Sequence, residues 1–387
     1  MNELTTLLFY LLIILGGASL IYVDSKIKNQ VASIFSAVGT AALLGLVSAF
    51  RGNTGTDSPM YRRAYEFGEN SILRWVDFEP GYETVMKILR GYHLPYQVLF
   101  FVMGFFTALF MILAILHERK QINVFVASLI FLSDFYLVSL NIVRQAMAMS
   151  ICIYAICLFF DGESNSDLPY PFSLLDSRKK MTKAQFVKQC IAIGLILIAS
   201  QFHTSALICL VIIFGKVLFT QKRMPIVLIS AFVCVSIVLL KRDLLFNLIL
   251  FLTGSYYYAS YFNSNVGSDG SFFGYYIKLV PIIFVVLLYY RKYKNYPKMN
   301  QLFAFFMIGI MMASIGVITD SQVNRIGFYF KYLDMIVVGY CAHYSISASK
   351  IRITSMAISV GMCAFYLLMF YYKVFLNNFA ELVPYGG

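Results

Sequence analysis

The sequence predicts an all-α integral membrane protein of about twelve transmembrane helices with two long loops on one face. Three observations predict it. Hydrophobic residues make up 60% of the 387 positions and charged ones only 13%, far from the balance of a soluble chain. Mean hydropathy is +0.74, and apolar runs of roughly 20 residues, the length that crosses a bilayer core, recur from end to end. Lys and Arg gather in the short segments between those runs, where positive charge fixes orientation.

The first run, Leu7–Val23, has no basic residue ahead of it and no small-residue cleavage site, so it reads as a retained span. The expected spans are 5–23, 31–50, 97–116, 122–140, 145–160, 186–201, 204–220, 224–240, 277–290, 299–318, 326–345 and 351–372. With Asp24–Gln30 cytoplasmic, the loops on that side hold more than half of the 31 basic residues. The short turns on the other side hold little beyond Arg144 and Arg325. Residues 1–387 then form one polytopic domain with both termini outside the cytoplasm.

The extracytoplasmic segment 51–96 is expected to hold two short helices. Asp57 is suited to an N-cap with Pro59 in the first turn, and Glu79 precedes Pro80 at the second start. Tyr82, Val85, Met86 and Leu89 share one face of that second helix, which should lie flat on the bundle or the interface. The cytoplasmic loop 161–185 is polar and proline-containing, a linker composition. Residues 241–276 begin apolar and pass into Tyr256, Tyr257, Tyr258 and Tyr261, as a re-entrant segment or surface lid does.

Several function classes are excluded. The formal charge of +12 is spread over inter-span loops rather than a basic, aromatic-laced module, so no nucleic-acid partner is expected. The seven cysteines, at 152, 157, 190, 209, 234, 341 and 363, fall in or beside apolar runs and read as small hydrophobes. No Walker A, G-x-S-x-G or H-E-x-x-H pattern occurs. His93, His117 and His343 are scattered without ligand spacing, so no metal site is expected. Asp77-Phe-Glu79 could hold a divalent cation as a minor option, but Asp161-Gly-Glu163 has the same pattern on the opposite face.

The residues left to carry chemistry are arginines, carboxylates and tyrosines on the outer face. Arg144 lies in a tight turn between apolar helices, where a cation is costly and needs either a partner or the lipid headgroups. Arg325 opens another span at the same face, near backbone N–H groups that favour phosphate, and Arg51 closes the second span there. Three guanidiniums fork onto phosphate oxygens better than ammonium groups do, which suits a pyrophosphate. His203 either caps its short turn, helps bind phosphate or sugar, or moves a proton. Asp57 and Glu79 either begin helices or act as a general base toward a hydroxyl. Tyr61 and Tyr82 could stack on sugar rings. Most of the other tyrosines, 28 in all against one Trp, form interface belts.

Five motifs in order then resemble a known family: Arg51-Gly-x-x-Gly-Thr-Asp57 with Tyr61, Glu79-Pro-Gly-Tyr82, Ile142-x-Arg144-Gln145-x-x-Ala148, Phe202-His-Thr-Ser205, and Asn324-Arg325 with Tyr329-Phe-Lys331. Together they are similar to the EpsG family of Wzy-type polysaccharide polymerases. The resemblance implies a GT-C-like, multi-pass glycosyltransferase of the bacterial plasma (inner) membrane. It implies joining of oligosaccharide repeat units carried on undecaprenyl pyrophosphate, on the outer face, with no ATP and no cofactor. Partners would be that lipid-linked oligosaccharide, the bilayer, and chain-length regulator and flippase proteins. Read with the residues above, pyrophosphate binding is expected at Arg51, Arg144 and Arg325, and catalysis at Asp57 or Glu79 with His203 in support. Sugar or acceptor contacts fall on Tyr61, Tyr82, Gln145, Asn324 and Tyr329. Asp134 and Asp334, lying within spans, keep open a flippase or other transporter of lipid-linked oligosaccharide. An O-antigen-ligase-like transferase is the remaining alternative.

Overall fold

The computed structural model describes residues 1–68, 78–161, 182–213, 282, 297–319, 321–348 and 352–386. Asp77, most of the 161–185 loop, the 241–276 segment and the expected spans 224–240 and 277–290 lie outside the described residues, Ile282 excepted. Every regular element among the described residues is helical. Among the described residues, five helical stretches are long and apolar enough to cross a membrane: α1 (Glu3–Lys26), α2 (Gln30–Ala49), α5 (Tyr96–His117), α8 (Lys183–Ser200) and Met356–Leu376. Shorter apolar helices are α6 (Val124–Ser139) and α7 (Val143–Phe159). The chain divides into two compact units, residues 1–158, 190–207 and 338–387, and residues 159–189 and 208–337.

In the first unit three helix starts are capped by asparagine side chains. The side chains of Asn2, Asn29 and Asn123 accept the N–H groups of Thr5 at 2.8 Å, Ala32 at 3.1 Å and Val126 at 3.3 Å, beginning α1, α2 and α6. Near the other end of α1, buried Asp24 accepts hydroxyls from Ser36 and, at 2.9 Å, Thr40, so α2 satisfies a carboxylate that burial would otherwise make costly. Helices α2 and α5 pack backbone to backbone, because a Cβ on Gly104 would collide with Ser48 and one on Gly45 would meet Phe105 at 3.0 Å. Helix α6 carries a π-helical stretch, Phe131–Tyr136, and there Asp134 pairs at 3.0 Å with Lys373 from a second π-helical stretch, Tyr372–Leu376.

The segment between α2 and α5 forms α3 (Ser58–Phe67) and α4 (Pro80–Gly91), as the sequence expects. Tyr82 and Met86 are buried, which turns the expected face of α4 inward. Asp57 occupies the N-cap position of α3, but its side chain makes no cap hydrogen bond.

In the second unit, α9 (Pro297–Thr319) and α10 (Ser321–Lys331) form an antiparallel hairpin, followed by α11 (Asp334–Ala348), which runs on into the first unit. The apolar run 326–345 is therefore not one span: it breaks at Tyr332–Leu333. Asp334 restarts the helix by accepting the Met335 N–H at 2.7 Å, with its negative charge at the favourable end of the helix dipole. The α9–α10 hairpin depends on glycine, since a Cβ at Gly309 would strike the backbone at Lys331 and one at Gly327 would strike that of Ala313 and Gly309. The Phe305 and Phe330 rings stack across it at 5.2 Å. Gly327→Val should cost about 1–3 kcal/mol by overpacking. It should appear as a lowered thermal midpoint of the purified protein in detergent.

In the last helix, α12 (Arg352–Tyr371), the path runs back toward the first residues. The amino group of Met1 donates to the Tyr385 carbonyl at 3.1 Å, and Tyr10 donates to that of Leu382 at 2.6 Å. Both ends of the described chain thus meet at the end of the first unit where α2 stops and α5 starts.

Candidate anion site at the helix ends

The Arg51–Asp57 turn explains its own motif. Gly52 and Gly55 have φ of 61° and 96°, the region open to residues without a Cβ. A Cβ on Gly55 would also press within 3.1 Å of the Leu140 carbonyl. The turn is closed by Thr54 N–H on the Arg51 carbonyl at 3.1 Å and Ser58 N–H on that of Gly55 at 3.0 Å. Asn141, from the tight turn ahead of α7, accepts the Thr56 hydroxyl at 3.0 Å and the Asp57 N–H at 2.9 Å. Residues 380–386 hold the other side. The carbonyls of Glu381 and Ala380 accept Gly55 and Thr56 N–H at 3.1 and 3.0 Å, and Gly386 N–H reaches the Thr54 hydroxyl at 2.8 Å.

The Glu79-Pro-Gly-Tyr82 motif docks on the turn after α8. The Gln201 carbonyl accepts the N–H groups of Gly81 at 2.8 Å and Tyr82 at 3.3 Å. A Cβ on Gly81 would stand 2.7 Å from that same oxygen, so only glycine allows the approach. One Glu79 oxygen accepts the Thr204 N–H at 3.3 Å, and the other forms an ion pair with Arg144. Both oxygens are thereby engaged. The Arg144 guanidinium lies over Phe78 at 4.8 Å, Tyr82 at 5.7 Å and Tyr61 at 5.8 Å. The Tyr61 hydroxyl also bonds it. Three aromatic rings and one carboxylate hold this cation in place.

Arg51 is handled differently. Its side chain is fully buried, with the guanidinium 3.7 Å from the centre of the Phe100 ring. Burial pulls its pKa down to about 10, opposed by the hydroxyls of Tyr82, Tyr61, Tyr136 and Tyr385 around it, so it remains a cation at neutral pH. None of its three nitrogens makes a hydrogen bond among the described residues. The Tyr82 hydroxyl and Nε of Arg144 are likewise buried without an acceptor. Burial raises the Tyr82 pKa far above the ordinary phenol value, so it stays a neutral donor. Tyr61 and Tyr82 lie within electrostatic reach of both arginines. A buried polar group without a partner costs about 1–3 kcal/mol, and a charged one more. A concentration of such donors is the chemical complement of a multivalent oxyanion.

Among the remaining expected residues, His203 Nδ1 is hydrogen-bonded to Ser205 Oγ at 2.6 Å, beside the Thr204 N–H that binds Glu79. Gln145 is buried directly after Arg144. The Asp57 carboxylate forms no hydrogen bond or ion pair among the described residues. Arg325 and Tyr329 stand one turn apart on α10 in the second unit, and of Asn324 only the backbone, in the same helix, is described. Arg325 does not open a helix as expected but lies in the second turn of α10. Asn141 and residues 380–386 carry structural roles that sequence reading passes over. Asn141 leaves a trace, a polar residue in an apolar turn, whereas the 380–386 contacts run through backbone groups and leave none.

All-helical architecture and several membrane-crossing helices define a multi-pass membrane protein, with a cation-rich polar cluster where helices of the first unit end. Residues 34–168 and 177–386 match the EpsG family, and the chain belongs to that family, whose members are Wzy-type polysaccharide-polymerase-like. No curated protein and no solved structure matches the chain.

Proposed function

We propose that this protein extends a polysaccharide by joining oligosaccharide repeat units carried on undecaprenyl pyrophosphate at the outer face of the plasma membrane. The observation that carries this reading is the set of buried donors on Arg51, Arg144 and Tyr82 that lack acceptors among the described residues. A diphosphate offers oxygens enough for all of them, and family membership supplies the polysaccharide context.

In the proposed step, a hydroxyl oxygen of the incoming repeat unit attacks the anomeric carbon of the growing glycan. The new C–O bond forms as the bond from that carbon to the pyrophosphate oxygen breaks, and the electron pair leaves on undecaprenyl pyrophosphate. Arg51 and Arg144 stabilise that developing charge. The hydroxyl proton passes to Asp57, whose carboxylate has no partner among the described residues, while Glu79 holds Arg144 and His203 supports the Glu79 turn. Tyr61 and Gln145 flank the arginine as contacts for sugar. Cleavage of the glycosyl–pyrophosphate bond of the lipid-linked donor drives the reaction, so no ATP is required.

The transporter alternative loses support from the two in-span carboxylates, since Asp134 is paired with Lys373 and Asp334 begins α11. The test is a reaction of purified protein with one defined lipid-linked repeat unit. The expected product is a ladder of longer lipid-linked glycans, with one undecaprenyl pyrophosphate released per bond, unchanged by chelator. Transfer of the lipid-linked unit across proteoliposomes without any ladder would instead identify a flippase.

A further inference from the structure

A second cationic feature lies apart from the Arg51–Arg144 cluster, where α3 ends and α5 begins. An open cleft of about 830 Å³ is lined by Tyr65, Glu66, Lys87, Arg90, His93 and Gln97, among others. The Tyr65 hydroxyl donates to the Leu94 carbonyl at 2.7 Å and ties the end of α3 to the chain ahead of α5. Other charges here are matched locally. Lys87 pairs with Glu83 at 2.8 Å, and Arg62 pairs with Glu66 at 2.8 Å. Arg90 has no ion pair or hydrogen bond among the described residues. Its guanidinium lies over Gly68, at a φ of 55°, in space that any Cβ there would occupy. The sequence thus clears a seat for a guanidinium, and no described carboxylate pairs with it. Beside it, Oε1 of Gln97 is buried without a donor and can accept a hydroxyl.

Leu94, in the cleft lining, is 38% exposed, and Ile88 and Tyr92, next in sequence to the lining residues Lys87 and Gly91, are 53% and 75% exposed. They adjoin the first turn of α5, a helix long and apolar enough to cross a membrane, while Tyr82 and Met86 turn the opposite face of α4 inward. Exposed Ile, Tyr and Leu beside an unmatched guanidinium at the start of a span fit a ligand that is anionic at one end and apolar at the other. A soluble acidic saccharide would satisfy Arg90 but not these apolar side chains.

We infer that this cleft seats the phosphate headgroup of an anionic membrane lipid, with Arg90 on the phosphate, Gln97 on a headgroup hydroxyl, and acyl chains along Ile88, Tyr92 and Leu94. This inference stands independently of the polymerase reading. The test uses the full chain in nanodiscs of phosphatidylcholine with a minor fraction of phosphatidylglycerol. Co-purifying lipid is counted by native mass spectrometry after extraction into mild detergent. Wild-type protein should retain phosphatidylglycerol in preference to phosphatidylcholine. Arg90→Gln, at an exposed position that does not threaten folding, should lower that retention by about tenfold, the loss of one charge-assisted contact. Gly68→Ala, which displaces the guanidinium without changing charge, should do the same, and Lys28→Gln at the far end of the helices should not. Soluble glycerol phosphate should compete only weakly, because it lacks acyl chains. Equal phosphatidylglycerol retention by wild type and Arg90→Gln would overturn the inference. So would displacement of the lipid by an oligogalacturonate at low concentration, which would make the cleft a glycan site.

Discussion

Arg144→Ala is expected to reduce chain extension by roughly 10²–10³-fold, the effect of removing one well-placed donor from a developing oxyanion, while the protein still accumulates in the membrane. The ion pair to Glu79 and the rings of Phe78, Tyr61 and Tyr82 fix the guanidinium before any substrate arrives. Such preorganisation keeps reorganisation small during reaction. Arg144→Lys keeps the charge but loses the planar fork, so it should recover only a minor part of the activity. Glu79→Gln leaves Arg144 unanchored and should act on the same interaction, so Glu79→Gln with Arg144→Lys should be far from additive. Glycan ladders from a deletion strain carrying each variant, read beside membrane protein levels, separate these outcomes. A normal ladder from Arg144→Ala would remove Arg144 from the mechanism.

Arg51→Met is expected to raise the thermal midpoint and abolish extension together. Replacing a buried charge by an apolar side chain of similar length can stabilise by about 1–4 kcal/mol. The Phe100 contact opposes this, since a desolvated cation–π pair contributes about 2 kcal/mol, and the net gain should fall in the lower half of that range. A residue that weakens the fold and is nonetheless required for turnover is characteristic of a binding site built in advance of its ligand. If Arg51→Met instead lowered the midpoint and left the ladder intact, Arg51 would be a packing residue.

How much of this was legible in the sequence depends on what kind of interaction made it. The helical membrane architecture follows from hydropathy, and the two short helices of 51–96 follow from Asp57-Ser-Pro and Glu79-Pro. Glycines in the Arg51–Asp57 turn and at Gly81 could be noticed, but their reasons could not. Each depends on a backbone from elsewhere, Leu140 in one case and Gln201 in the other. The Glu79–Arg144 pair joins residues 65 positions apart, which no local pattern encodes. The break at Tyr332–Leu333 is invisible to hydropathy because apolar side chains continue through it, and Asp334 is the lone sign. Arg51 reads as an arginine closing a span, and nothing local in the sequence shows that it is buried. Its burial comes from the ring of tyrosines, and those are drawn from four separate segments.

Equilibrium binding of radiolabelled undecaprenyl pyrophosphate to the purified protein in nanodiscs tests the shared arginine site most directly. Saturable one-to-one binding to wild type is expected, weakened at least about tenfold in both Arg51→Met and Arg144→Ala, as loss of a charged hydrogen bond requires. Equal affinity in all three proteins would contradict it.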